Sequence, residues 1–123
     1  MNIVSKNNSL SQQRVVITGV GAVSPLGPDA SALWQGLREG RSAVRRCPSL
    51  QEINGLRTTI AACVDGIDAG RIARKKRRYM SNMSIYLTLA AQAAVRRAAL
   101  EPDQVRAERP GVCVGSTTGS TID

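Results

Sequence analysis

The segment Arg14 to Gly27, reading RVVITGVGAVSPLG, constrains this chain most, because a β-branched run stops at paired glycines and a proline-containing turn. Val15, Val16 and Ile17 follow one another without polar alternation, the pattern of a strand covered on both faces, as in a parallel sheet between helices. Gly19 and Gly21 admit backbone conformations, or close approaches, that a Cβ forbids. Beyond Pro25, Gly27 and Pro28, Asp29 is placed to N-cap a helix through Trp34 and Leu37 that Gly40 stops. The unit is strand, glycine turn, helix, which points to an α/β fold.

Such a unit invites a dinucleotide site, with backbone approaching a pyrophosphate at a helix N-terminus. The spacing argues against it: Ser24 stands where the third glycine belongs, and no acidic residue ends a second strand about 20 residues on. A P-loop fails as well, since no Gly-Lys-Ser or Gly-Lys-Thr follows. A structural turn closing strand onto helix is the better reading.

At 123 residues and 42% hydrophobic content the chain amounts to one domain or a piece of one. Aromatic residues make up only 2%, so the interior rests on Val, Ile, Leu and Ala, and its elements must approach closely. The charge is uneven: 17 basic against 9 acidic residues give +8, and six of the basic ones fall between Arg71 and Arg78. A patch this dense suits an acidic partner, whether nucleic acid, anionic membrane or acidic protein, against the blander reading of a solvated helix start.

Residues 1–13 are polar and aperiodic, read as a mobile tail preceding a partial domain over 14–123, and they lack the apolar stretch of a secretory signal. No apolar run nears the roughly 20 residues needed to cross a bilayer, so the expectation is a cytoplasmic protein without membrane attachment. Cys47, Cys63 and Cys113 are widely spaced with no C-x-x-C pair, which suggests neither a zinc site nor a disulfide framework. Arg41 to Gly55 reads as an irregular connection, and Leu56 to Val64 as a Thr-rich strand.

Tyr79 to Leu100 is the clearest helix. Met80, Met83, Ser84, Leu87, Ala91, Ala94 and Ala98 recur on one face, and Ile85 and Leu89 lie opposite. Apolar residues on both sides predict broad burial, and the alanines leave room for a close neighbour. Glu101 and Pro102 end the helix, and a polar linker leads to Gly111. Val112, Cys113 and Val114 then form a short buried strand entering Gly115-Ser116-Thr117-Thr118-Gly119-Ser120, a second glycine-flanked strand end expected to face the same site as the first.

The chain contains no histidine, which removes the usual general base, the Ser-His and Cys-His pairs, and most metal sites. Cys113, among valines, reads as a buried inert thiol, and Cys47 as a thiol near Arg45 and Arg46 with nothing else resembling a site around it. No catalytic residue, metal ligand or cofactor site is therefore assigned.

Four blocks in order, RVVITGVGAVSPLG, LREGRSAV, RKKRRYMSNMSIYLTLAAQAA and GVCVGSTTGS, resemble the start of a β-ketoacyl-acyl carrier protein synthase, and RYMSNMSIY leans towards the elongating types I and II. The resemblance implies a thiolase-like α-β-α-β-α fold, of which this chain supplies roughly the first half of the N-terminal core repeat, and a homodimer in the intact family. It also implies elongation of an acyl chain by decarboxylative condensation, in fatty acid or polyketide assembly, through an acyl-cysteine. The family's nucleophilic Cys, two His and Lys fall after the Gly-Ser-x-x-Gly loop, so the chain alone is expected to be inactive. What carries over is recognition of acyl carrier protein by Lys75 and Arg78, with Arg74 and Arg77 nearby, and an acyl-pocket position at Thr118. A non-catalytic carrier-binding module and a basic nucleic-acid-binding module remain as alternatives, the latter disfavoured by the scarcity of stacking aromatics. A partial domain is further expected to expose strand edges and the second apolar face of the long helix, and so to aggregate or to remain a loosely packed monomer.

Overall fold

Asp29 starts the first helix as its side chain predicts: the Oδ1 atom accepts hydrogen bonds from the backbone N–H groups of Ser31 and Ala32, both at 2.9 Å. Helix α1 spans Ala30–Arg38 in the computed structural model, which describes residues 14–107 and 111–116. Its end is a Schellman closure, with Gly40 at φ +63° donating to the Leu37 carbonyl (3.1 Å) and Arg41 to the Gly36 carbonyl (2.9 Å). Gly36 is buried, and a Cβ there would press on Leu26 at 3.2 Å.

The Arg41 to Gly55 connection is more ordered than its composition predicts. It contains strand β1 (Arg45–Arg46) and the single turn α2 (Pro48–Gln51). The Thr-rich segment contributes strand β2 (Ile60–Ala61), which runs antiparallel to β1 in the register Arg45 to Ala61 and Arg46 to Ile60. A 3-10 turn over Ala69–Arg71, capped by Asp68 through the Gly70 N–H at 2.9 Å, leads into α3 (Arg74–Arg77).

Helix α4, Asn82–Arg97, is the long one. Ser81 caps it by accepting from the Ser84 N–H at 3.3 Å. It ends before the expected Glu101-Pro102 stop, because Ala99 turns left-handed at φ +52° and closes a second Schellman pattern: Ala99 donates to Arg96 at 3.1 Å and Leu100 to Val95 at 3.4 Å. The stretch expected to be a linker begins with a helix, α5 (Pro102–Ala107). Gln104 reaches back to accept from the Glu101 N–H at 3.0 Å, the reciprocal half of a capping box, and Pro102 sits at the first helical position where its missing N–H costs nothing.

The glycines of the opening segment serve helix packing. A Cβ on Gly19 would strike the Ala94 carbonyl and lie 2.7 Å from the Ala98 nitrogen. On Gly21 it would strike the Ala90 carbonyl and lie 2.9 Å from the Ala94 nitrogen. Backbone meets backbone along the Ala90, Ala94, Ala98 ridge of α4, so small residues are required on both sides. Arg97 adds a tie from the end of α4 to the start of α1, donating to Ser31 Oγ at 3.4 Å.

Residues 15–17 and 112–114 run without a ladder, and β1-β2 is the one sheet among the described residues. A strand needs a partner for its N–H and C=O groups as well as its own propensity. Val15 is 96% exposed and Ile17 86%, where burial on both faces was expected. The core is correspondingly thin: Cys47, Ile72 and Ile85 are the buried hydrophobic residues among those described, while Trp34, Leu37, Leu87 and Val95 stay exposed. Broad burial of α4 is therefore not realised here. Ile85 is covered, and the Leu87, Ala91, Val95 flank faces residues 112–114 across a cavity of about 630 Å³.

Candidate functional site: a basic helical turn ahead of α4

Buried Ile72 anchors the chain just ahead of the basic run, and buried Ile85 anchors α4 just after it. Between those two points Arg74, Lys75, Lys76 and Arg77 form the single turn of α3, and Arg78 is its C-cap. The turn is closed by its own backbone, with Lys76 and Arg77 donating to the Ala73 carbonyl at 2.9 and 3.1 Å and Met80 to Arg77 at 3.0 Å. Residues three and four apart on a helix share a face, so Arg74 lies beside Arg77 and Arg78, and Lys75 beside Arg78. All four line one cavity of about 650 Å³.

Among the described residues, none of these cations takes part in an ion pair; the bridges join Arg41 to Glu39, Arg45 to Asp65 and Arg106 to Asp103. Like charges on one turn repel and gain nothing internally from their proximity. Arg78 stacks its guanidinium 5.8 Å from the centre of the Tyr79 ring, which leaves its charge available while fixing its stem. The product is a preformed concave patch of positive charge, suited to an acidic surface.

Lys75, Arg78, Arg74 and Arg77 line one cavity in the structure. Thr118 lies outside the described residues. Most of the second glycine-flanked end, 115–120, also lies outside the described residues. Gly19 and Gly21 lie on the Ala90, Ala94, Ala98 ridge, whereas residues 112–114 face the flank beginning at Leu87, about 100° away around the helix axis. Cys113 is exposed and lines that second cavity, which corrects the expectation of a buried thiol; its valine neighbours are exposed with it. Among the described residues no group of three or more His, Cys, Asp or Glu side chains is arranged to hold a metal. Nor is any helix there long and apolar enough to cross a membrane.

One pairing was invisible in the sequence. The Cys47 and Cys63 sulfurs lie 2.7 Å apart, with Ser49 Oγ 3.7 Å from Cys47. The contact with Cys63 lowers the Cys47 pKa, Ser49 assisting, and that with Cys47 raises the Cys63 pKa. Arg45 lowers both by charge but less strongly, and it is ion-paired with Asp65, which opposes it. The influence expected of Arg45 on Cys47 is thus secondary to that of the partner thiol.

Comparison with known proteins shows that this arrangement, a glycine-bearing segment packed on a long alanine-rich helix with a basic turn ahead of it, belongs to the N-terminal part of a thiolase-like α/β fold. The structure superposes on a beta-ketoacyl synthase from Burkholderia phymatum STM815 with a TM-score of 0.62 and 37% identity, covering 74% of this chain and 22% of that one. The family model described as "Beta-ketoacyl synthase, N-terminal domain" matches residues 12–123, and the chain belongs to that family. Similar curated proteins include Nodulation protein E of Rhizobium sp. (strain N33), 41% identical over 84% of this chain and 25% of its own length. Another is 3-oxoacyl-[acyl-carrier-protein] synthase 1 of Escherichia coli (strain K12), 37% identical over 88% of this chain and 27% of its own length. The chain thus spans about a quarter of the length of these relatives.

Proposed function

We propose that these residues form the N-terminal scaffold and carrier-docking face of an enzyme that elongates an acyl chain by decarboxylative condensation. The observation that carries the reading is the α3 turn: four cations line one open concavity, unpaired within the described residues, in a chain similar to 3-oxoacyl-[acyl-carrier-protein] synthases. An acyl carrier protein of acidic surface is the partner such a patch fits, with Lys75 and Arg78 as the principal contacts and Arg74 and Arg77 beside them. Thr118 is proposed to border the acyl pocket. The thiol and imidazole groups that condensation requires are assigned to residues outside this chain, which has no histidine.

Titration of an acidic acyl carrier protein against the 123-residue chain tests the docking. Lys75→Glu with Arg78→Glu is expected to weaken binding about tenfold or more at low salt, and by less at physiological salt, as screening removes the long-range attraction. Arg14→Glu with Arg57→Glu makes the same change of net charge outside the cluster and is expected to weaken binding far less. Equal losses in the two double variants, or none in the first, would refute a local docking face.

A further inference from the structure

We propose that Cys47 and Cys63 form a redox-responsive dithiol, which a peroxide converts into an intramolecular disulfide and a thiol reductant reopens. The fold sets the pair in place. Cys47 follows β1 directly and donates its backbone N–H to the Thr59 carbonyl at 2.8 Å, and Cys63 follows β2 two residues on. The sulfurs are 2.7 Å apart, so less than an ångström of further approach gives a covalent bond of about 2.05 Å.

The two thiols are unlike in ways that fit successive roles. Cys47 is buried against Cys63, and that contact lowers its pKa, so its sulfur is the one prepared as thiolate. Cys63 lines a cavity of about 280 Å³ with Ser24, Leu26, Arg41 and Asp65, which gives a small oxidant a route to the pair. In the first step the Cys47 thiolate attacks one peroxide oxygen. The S–O bond of a sulfenic acid forms, the O–O bond breaks, and the departing hydroxide takes up a proton as water. Cys63 sulfur then attacks Cys47 sulfur, the S–S bond forms, the S–O bond breaks, and a second water leaves. The two sulfurs together lose two electrons, which reduce the peroxide. The bond would tie the ends of the 47–63 segment together and pin one wall of the cavity shared with the Ser24-Gly27 turn.

Hydrogen peroxide treatment of the full chain, alkylation of remaining thiols and tryptic mapping test this. Peptides 47–57 and 58–71 should be recovered joined, two hydrogens lighter than their sum, and separated again by dithiothreitol. The cross-link should form about tenfold or more faster in native buffer than in concentrated urea, because only the fold holds the sulfurs in contact. Cys113→Ser should leave it unchanged, and Cys63→Ser should leave a sulfenic acid at Cys47 that dimedone traps. Equal rates in buffer and urea, disulfides dominated by Cys113, or no trapped sulfenic acid would overturn the proposal.

Discussion

Replacing Gly21 by Ala tests whether the glycines of the opening segment are there for helix packing. The added Cβ would collide with the Ala90 carbonyl and lie 2.8 Å from its carbon and 2.9 Å from the Ala94 nitrogen. All three are backbone atoms of α4 and cannot swing aside as a side-chain end does, so relief requires the 19–21 segment to lift off the helix. Overpacking of this kind costs about 1–3 kcal/mol, and loss of contact along the Ala90, Ala94, Ala98 ridge places Gly21→Ala near 2 kcal/mol. At 1.4 kcal/mol per tenfold, that is about a thirtyfold rise in the opening equilibrium of α4. Hydrogen exchange of the α4 amides at low protein concentration reads this directly, since it reports local opening without requiring a single global transition. Gly111→Ala is the control: nothing lies within 4 Å of its added Cβ, and α4 protection should be unchanged. If Gly21→Ala leaves α4 protection at the parental level, the packing account of the glycine is wrong.

Other outcomes follow from the same contacts. Ala99 holds a left-handed conformation at φ +52°, so Ala99→Gly should relieve strain and stabilise the chain by about 0.5–1 kcal/mol, seen as a higher urea midpoint; a lower midpoint would contradict the Schellman assignment. The lowered pKa of Cys47 and raised pKa of Cys63 mean that Cys47 becomes thiolate at the lower pH, so mass-mapped alkylation by iodoacetamide should begin at Cys47 as pH rises. Alkylation beginning at Cys63 would contradict this order of ionisation.

Features built from residues a few positions apart were legible in the chain. Asp29 ahead of α1 and Gly40 behind it act through hydrogen bonds to residues two or three away. The small-residue face of α4 likewise follows from spacing alone. The Gln104 side chain reaching back to Glu101 was equally local, and the capping-box spacing ahead of α5 is the signal that reveals it.

What the tertiary structure decided depends on which distant segments meet. The glycines at 19 and 21 announce a close approach, but only the fold shows that α4, some seventy residues on, is what approaches. Cys47 and Cys63 lack any motif spacing and are joined by the β1-β2 register. The valines at 15, 16, 112 and 114 have strand propensity in full, yet they form no ladder, because propensity belongs to a residue and a hydrogen-bonded partner does not.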